Sequence, residues 1–301
     1  MKILNIKSAY YISEEGGSGT SEYPEIPCQI LVASQYIKSQ GFDVTIRDLL
    51  QEEEDTFSFS GFDVAVVWVP IIGNHFHTGL RYLEQAKQSG CTTIMILNDA
   101  FEGMERECLE RYTYIDFAIR LYEREIVLGK LLEKLRDGND YADLQGLIYR
   151  KGGQLHDTGL HPQAENLHHL SSAADFLRQL PLERYSIGKV EVARGCPFPC
   201  VFCQYNGTKR RARRVEDIIS ELKVLAGAYH LIWMHELNMM LDKQFTRELC
   251  EAILAAGLTV PWATDARMAS CSDVELLALM RRSGCEALDF GLECVNEEVR
   301  N

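Results

Sequence analysis

Three cysteines lie close together in the chain, in the C-x-x-x-C-x-x-C array formed by Cys196, Cys200 and Cys203. Thiolates at this spacing can converge on one site from a short loop, and sulfur ligands select zinc or iron–sulfur clusters over hard cations. Four thiolates would close either kind of site, whereas three leave one iron of a [4Fe–4S] cluster open to another ligand. The array predicts a metal centre, and an open iron indicates chemistry rather than scaffolding.

The residues around this array predict the elements that position it. Residues 188–194 are typical of a strand and residues 215–226 of a helix, so the cysteines lie on the loop of one βα unit. Strands and helices continue to alternate along residues 231–234, 242–256, 260–264, 272–282 and 287–291. This order predicts a partial (β/α) barrel of the TIM type, with its site at the carboxyl-terminal mouth of the strands.

The first part of the chain predicts a different α/β architecture. Apolar strand-like runs and helix-like segments alternate over the first ~135 residues, which indicates an open, doubly wound, Rossmann-like sheet. A hairpin around Lys151-Gly152-Gly153 is expected to close its edge. We therefore predict a front domain at residues 1–155, a linker at 156–186 and the barrel domain at 187–301.

Composition restricts the function classes. The 301 residues include 46% hydrophobic side chains and have a formal net charge of -13. That charge opposes general binding to nucleic acid or to an anionic membrane, and no run approaches the roughly 20 apolar residues of a membrane span. Ten cysteines without a signal peptide indicate a reducing compartment, so we expect a cytoplasmic protein.

The cysteine array lies within a longer resemblance. The sequence VARGCPFPCVFCQY, followed by RRVEDIISEL, resembles radical S-adenosylmethionine (SAM) enzymes that have a cobalamin-binding-like domain in front. Similar blocks occur at residues 260–267, 283–285 and 288–296, and the resemblance is weaker before Val190. It implies that the three cysteines hold a [4Fe–4S] cluster and that SAM occupies the fourth iron. It also implies cleavage of SAM to a 5′-deoxyadenosyl radical, chemistry that the cofactor supplies.

The resemblance also implies roles for four further residues. Phe202 matches an apolar residue near the adenine, and Glu236 matches an acidic residue that accepts hydrogen bonds from the amino group of SAM. Arg267 and Glu293 match polar positions that contact the carboxylate and ribose. The alternatives are core packing for Phe202 and a structural ion pair for Arg267 or Glu293.

The front domain departs from the glycine-rich loops that approach cobalamin in this family. Residues 98–101 lack the expected paired glycines, and residues 120–125 keep two acidic positions but lose both glycines. Side chains there would occupy the space of the corrin. We therefore expect weak or absent cobalamin binding.

Two sequence features outside the array have ordinary interpretations. The basic run Lys209–Arg214 is interpreted first as a solvated loop and second as a docking site for a reductant such as flavodoxin or ferredoxin. The remaining cysteines show no second close triplet and are expected to be core thiols. They are Cys28, Cys91, Cys108, Cys250, Cys271, Cys285 and Cys294.

These observations predict a radical SAM enzyme that methylates or otherwise transforms a small-molecule or peptide substrate. The alternative is a non-enzymatic iron–sulfur or zinc-binding module for redox or interaction. Asn301 follows the fourth predicted barrel strand closely, whereas the family continues through at least two more strands. We therefore expect a C-terminal continuation or a partner chain to complete the barrel, and cluster binding with poor turnover without it.

Overall fold

The structure, a computed structural model, separates into two compact units, Met1–Glu165 and Asn166–Asn301. The division lies inside the segment 156–186 that we predict as a linker. Among the described residues, no helix is both long and apolar enough to cross a membrane. The structure describes residues 1–7, 25–48, 58–70, 73–98, 103–120, 122–203 and 205–292.

The first unit is a doubly wound α/β domain, as predicted. Its sheet has the order β2-β1-β3-β4-β5-β6-β7, in which β1 to β5 are parallel and the β6–β7 hairpin is antiparallel. The strands are β1 (Lys2–Lys7), β2 (Asp43–Asp48), β3 (Val64–Pro70), β4 (Thr92–Asn98), β5 (Phe117–Ile119), β6 (Leu147–Lys151) and β7 (Gln154–Asp157). The helices are α1 (Cys28–Ser39), α2 (Gly73–Gln88), α3 (Met104–Arg111) and α4 (Arg124–Asp137).

Apolar cores cover both faces of this sheet. Strand β3 is buried from Val64 to Val69, as expected of a central parallel strand covered on both sides. Its alternate residues face two separate clusters. One cluster includes residues of α1 and α4, and the other includes residues of α2 and α3.

The second unit is built on four parallel strands in the order β13-β12-β11-β8, and the described strands do not close into a barrel. A separate two-residue antiparallel ribbon joins β9 to β10. The strands are β8 (Gly188–Glu191), β9 (Ala193–Arg194), β10 (Arg211–Ala212), β11 (Ile232–His235), β12 (Trp262–Ala266) and β13 (Cys285–Phe290). The helices are α5 (Ala174–Leu177), α6 (Val215–Leu225), α7 (Lys243–Ala255) and α8 (Val274–Arg282).

The helix starts of the second unit follow from side-chain capping. The Asp242 carboxylate accepts the Phe245 N–H at 3.1 Å, and the Asp273 carboxylate accepts the Leu276 N–H at 3.0 Å. Each aspartate satisfies one of the amides that have no partner in the first helical turn. Helices α7 and α8 therefore begin one residue after their capping aspartates.

The middle of the predicted linker packs into the second unit through one buried arginine. Arg213 makes a two-point ion pair with Glu221, with Nη1–Oε2 and Nη2–Oε1 distances of 3.0 and 2.6 Å. Its guanidinium also donates to the carbonyls of Leu170 and Ser171. The Glu221 carboxylate in turn accepts the Ala173 N–H at 2.7 Å. Residues 170–173 are thus fixed to α6.

We expect Arg213→Ala to destabilise the second unit by about 3–5 kcal/mol, because it leaves the buried Glu221 charge unpaired. Arg214→Ala removes the neighbouring exposed arginine and should change stability by less than about 0.5 kcal/mol. Urea unfolding followed by tryptophan fluorescence measures both. Equal midpoints for the two variants would show that the buried pair contributes no stability.

Candidate functional site

The three cysteines lie on a loop that is closed at its base. Strand β9 leads into the loop and β10 leads out of it, with Arg194 paired to Arg211 in the ribbon. Gly195 follows β9 with φ +86°, and a Cβ there would overlap the Lys209 carbonyl oxygen on the returning side. Only glycine permits both this conformation and this approach. The ends of the loop are therefore held in contact.

One hydroxyl fixes the first cysteine inside this loop. Thr208 Oγ1 accepts the Cys196 N–H at 2.9 Å and lies 2.8 Å from the Tyr205 carbonyl oxygen, to which it donates. Thr208 is buried, so water does not compete strongly for these bonds. The backbone at Cys196 is thereby set relative to the end of the loop.

The thiols of the array are free of disulfides and partly exposed, whereas most of the other described thiols are buried. Cys196, Cys200 and Cys203 are all of intermediate exposure. Soft thiolates in a preformed loop, accessible and free of disulfides, fit an iron–sulfur cluster. Their placement agrees with the predicted metal ligands, whose role stays a proposal.

The loop also presents apolar side chains to solvent. Val201 is 93% exposed and Phe202 is 59% exposed, so the core-packing alternative for Phe202 is wrong. Its predicted place beside an adenine remains a prediction. An exposed phenyl face next to the cysteines provides a surface on which a flat base can stack.

Arg267 brings the end of β12 against the cysteine loop. Its guanidinium carbon lies 3.5 Å from the centroid of the Phe198 ring, a cation–π contact with a residue between the first two cysteines. The buried Asn238 fixes the Arg267 backbone by accepting its N–H at 3.3 Å. Glu293, predicted alongside Arg267, lies outside the described residues.

Glu236 is already engaged by an arginine of the loop. Arg210 donates through Nε and Nη2 to the two carboxylate oxygens, with Nη2–Oε2 at 3.0 Å, and through Nη1 to Asp242 at 3.2 Å. The Glu236 side chain is only 2% exposed. Burial raises the pKa of its carboxyl, and Arg210 opposes that rise. Any ligand that uses Glu236 must therefore share the carboxylate with Arg210.

The interpretation of Lys209–Arg214 as a solvated loop was wrong for the middle of the run. Arg211 and Arg213 are buried, and Arg210 is held by Glu236 and Asp242. Lys209 and Arg214, at the two ends, are exposed. Most of this positive charge is consumed inside the second unit, where it fixes the loop, and is not available to a docking partner.

The other described cysteines are mostly the core thiols that we predict. Cys28, Cys91, Cys108, Cys250 and Cys285 are buried, whereas Cys271 is partly exposed near the Arg267 carbonyl. Burial raises the pKa of the Cys285 thiol to about 12, which makes it a poor metal ligand. Cys294 lies outside the described residues.

In the first unit, two non-glycine residues in the loop after β5 adopt a positive-φ backbone conformation that glycine usually occupies. Tyr122 and Glu123 have φ values of 77° and 47°, a region that side chains disfavour. Tyr122 stands where the related family has a glycine. Residues 99–101, the other departure from that pattern, lie outside the described residues.

Comparison with known proteins agrees with this fold. The Radical SAM superfamily profile matches residues 190–301. An uncharacterized methyltransferase of Pyrococcus horikoshii is 27% identical over 272 residues, covering 85% of this chain and 58% of that protein. An anaerobic magnesium-protoporphyrin IX monomethyl ester cyclase of Synechocystis is 26% identical over 209 residues, covering 64% of this chain and 40% of that protein.

Two solved structures share the fold. The radical SAM methyltransferase TsrM from Kitasatospora setae, with cobalamin and a [4Fe–4S] cluster bound, has a TM-score of 0.78 at 15% identity, covering 99% of this chain and 62% of that one. The cobalamin-dependent radical SAM enzyme OxsB has a TM-score of 0.79 at 16% identity, covering 99% and 45%. This chain thus spans about three fifths of the Pyrococcus relative and of TsrM.

The cysteine loop at the carboxyl end of β8 lies within residues 190–301, the part of the second unit that matches the Radical SAM superfamily. The similar proteins include a methyltransferase and a cyclase. The match implies a [4Fe–4S] cluster and SAM. The residues present fit such a cluster, because three free thiols share a loop whose shape Gly195 and Thr208 fix.

Gly195→Ala should abolish cluster assembly, because the added methyl group must displace the Lys209 carbonyl and open the loop. Gly207→Ala is the matched control, since it changes another positive-φ glycine of the same loop, at φ +66°, with open space around it. It adds only backbone strain, about 1–2 kcal/mol. Iron and sulfide per chain after anaerobic reconstitution measure the difference. Equal, full iron in both variants would contradict the importance of the close contact at Gly195.

Proposed function

We propose that this chain forms the cofactor-binding part of a radical SAM enzyme. The reaction is methylation of an unactivated carbon if cobalamin binds, and another radical rearrangement or oxidation if it does not. The observation that supports the proposal most strongly is the three-thiol loop, closed at Gly195 and placed at the carboxyl end of β8. The methyltransferase and cyclase relatives favour the reaction class.

In this proposal Cys196, Cys200 and Cys203 hold the cluster through their thiolates. When bound, the cluster and SAM supply one-electron cleavage of the C5′–S bond and a 5′-deoxyadenosyl radical. Phe202 would offer its exposed ring to the adenine. Arg267 would hold the first half of the loop through Phe198.

The substrate and the electron donor are part of the same proposal. We propose a small-molecule or peptide substrate and a reductant such as flavodoxin or ferredoxin. The buried arginines remove the basic run as a docking surface, so the donor must use another face. The exposed apolar pair Val201 and Phe202 lies on the loop that would hold the cluster, and a short path favours electron transfer there.

The central test of the activity is release of 5′-deoxyadenosine from SAM under anaerobic reductant. We expect release by the reconstituted chain and none by Cys200→Ala, because two thiolates cannot retain four irons. Cys250→Ala is the control, since Cys250 is buried in the core and should leave iron content unchanged. Iron retention to the same extent in both variants would defeat the ligand assignment.

The same assay separates the enzyme from the binding-module alternative. A chain that holds one zinc, no iron and no SAM would be the non-enzymatic module. Turnover, rather than a single stoichiometric release, reports whether these residues suffice for catalysis. We expect few turnovers, because β13 lies at the sheet edge of the described strands, where Phe290 and, two residues beyond the strand, Leu292 are exposed.

Cobalamin binding by the first unit should be weak or absent, because the Tyr122 side chain occupies a position where the family has glycine. Gel filtration with hydroxocobalamin measures its retention. Tyr122→Gly relieves the backbone strain and removes the side chain, so this variant should retain more cobalamin than the parent. Stoichiometric retention by the unaltered chain would overturn this expectation, and would favour the methylation reaction.

A further inference from the structure

A row of titratable side chains crosses the second sheet just below the cysteine loop. His235 of β11 pairs in register with Glu191 of β8, and Asp265 of β12 pairs with Asp289 of β13. Because Met234 pairs with Thr264, His235 and Asp265 are also neighbours. In-register residues of a parallel sheet point to the same face. Four strands therefore contribute four titratable groups to one layer.

This layer lies on the sheet face opposite the apolar core. The alternate residues Val190, Met234 and Thr264 are fully buried, whereas His235 and Asp265 are only partly buried. Helix α6 contacts β8 and α8 contacts β13, which covers the apolar face. The titratable row thus faces the open side of the sheet, where barrels of this type place their ligands.

Two of the carboxylates around this row already have arginine partners. Glu191 is fully buried and accepts from Arg194 at 2.8 and 2.9 Å. Burial disfavours its charge, but Arg194 and the other nearby cations outweigh burial and lower its pKa. Glu236, which follows His235 in the chain, is held by Arg210. Neither carboxylate is available as an unpaired negative charge.

Asp265 differs from both because the described structure gives it no cationic partner in an ion pair. The like charge of Asp289 lies beside it on β13, and Trp233 and Lys189 are the neighbours that favour its ionised form. Two neighbouring carboxylates repel each other, and a positive charge placed between them and the open face relieves that repulsion.

The position of Asp265 connects it to the cofactor loop. Arg267 follows Asp265 by two residues in extended backbone, with φ −97° and ψ 133°, so the two side chains leave the same face. The Arg267 guanidinium lies on Phe198 of the cysteine loop. Asp265 is therefore about 7 Å along the strand from a residue that contacts this loop.

We propose that Asp265, supported by Asp289, recognises the positive charge of SAM by lying against its sulfonium. This proposal rests on the proposed function, since it requires SAM at the cysteine loop. It assigns recognition of the positive charge of SAM to Asp265 on β12. The resemblance instead assigns a contact with the amino group of SAM to Glu236, which follows β11. The distinction is physical, because Arg210 neutralises Glu236, whereas no arginine in the described part of the chain forms an ion pair with Asp265.

The protonation behaviour of Asp265 is consistent with such a role. Burial raises the pKa of its carboxyl and Asp289 raises it further, while the Trp233 hydrogen bond and Lys189 of β8 oppose the rise. Among the described residues of the four strands, Glu191 of β8 and His235 of β11 are the other titratable groups on this face, and Arg267 follows β12 on the same side. A sulfonium favours the ionised carboxylate, so SAM affinity should fall as the pH drops toward the raised pKa.

The experiment compares SAM with its uncharged thioether, S-adenosylhomocysteine, by equilibrium dialysis against the reconstituted chain. Asp265→Asn keeps the shape and removes the charge. We expect its preference for SAM over the thioether to fall about tenfold, equivalent to roughly 1.4 kcal/mol. Asp289→Asn should produce a smaller loss in the same direction. Glu286→Gln, an exposed residue on the same strand, should leave the preference unchanged.

A variant that lacks the Glu236 carboxylate tests whether Glu236, rather than Asp265, recognises the charge of SAM. Arg210→Met combined with Glu236→Leu replaces the buried pair by apolar side chains of similar volume, a change that such sites tolerate. We expect this double variant to keep the preference for SAM over the thioether. A loss of that preference at full iron content would assign the charge recognition to Glu236 and overturn the proposal.

The unaltered chain provides an independent readout. Its SAM affinity should weaken as the pH falls toward the raised pKa of Asp265, and that of Asp265→Asn should weaken less, with iron content monitored throughout. An unchanged preference for SAM in Asp265→Asn, or a pH dependence that the substitution leaves intact, contradicts the proposal. If the unaltered chain binds cluster but no SAM at all, the proposed function fails as well, which separates the two failures.

Discussion

The contact between Gly195 and the Lys209 carbonyl is the constraint on which the site depends. A loop that must present three thiols to one ligand group cannot leave its two ends free, because closing it anew on each binding event would cost conformational entropy. Here the two-residue ribbon β9–β10 and the missing Cβ at Gly195 close the loop in advance. Thr208 then fixes Cys196 within it. The shape of the loop is thus constrained by contacts of the chain itself.

Arginines carry that local constraint into the rest of the second unit. Arg210 connects the end of the loop to β11 through Glu236, and Arg213 connects the same segment to α6 through Glu221. Arg267 approaches from β12 and lies on Phe198. Planar guanidinium groups suit these sites, since each makes several directed bonds or stacks on a ring. The loop is thus braced by charge pairs that are sheltered from water.

Periodicity alone predicted most of the architecture. Apolar runs such as Val64–Val69 identified the buried strands, and Asp242 and Asp273 marked helix starts within two residues. Helix α3 was not predicted from the sequence, because its sequence MERECLER is mostly charged and buries few residues. The β9–β10 ribbon was not predicted either, because a strand of two residues is too short to show a hydrophobic periodicity.

The arrangement inside the site was less accessible from the sequence. The array predicted metal ligands, and the structure places all three on one loop. A run of basic residues is ordinarily solvated, and nothing local indicates that Arg210 meets Glu236, 26 residues away. The exposure of Phe202 and its neighbours depends on the loop shape, which arises from contacts distant in sequence. A single sequence therefore indicates which segments form helices and strands, but not which distant side chains contact one another.

The central claim is that the three-thiol loop holds a cluster with an open iron that SAM can reach. Electron paramagnetic resonance of the anaerobically reconstituted, reduced chain tests it most directly. The account predicts the signal of a reduced [4Fe–4S] cluster, and a change in that signal when SAM is added. A chain that binds zinc and shows no iron signal, or an iron signal that SAM leaves unchanged, would contradict it.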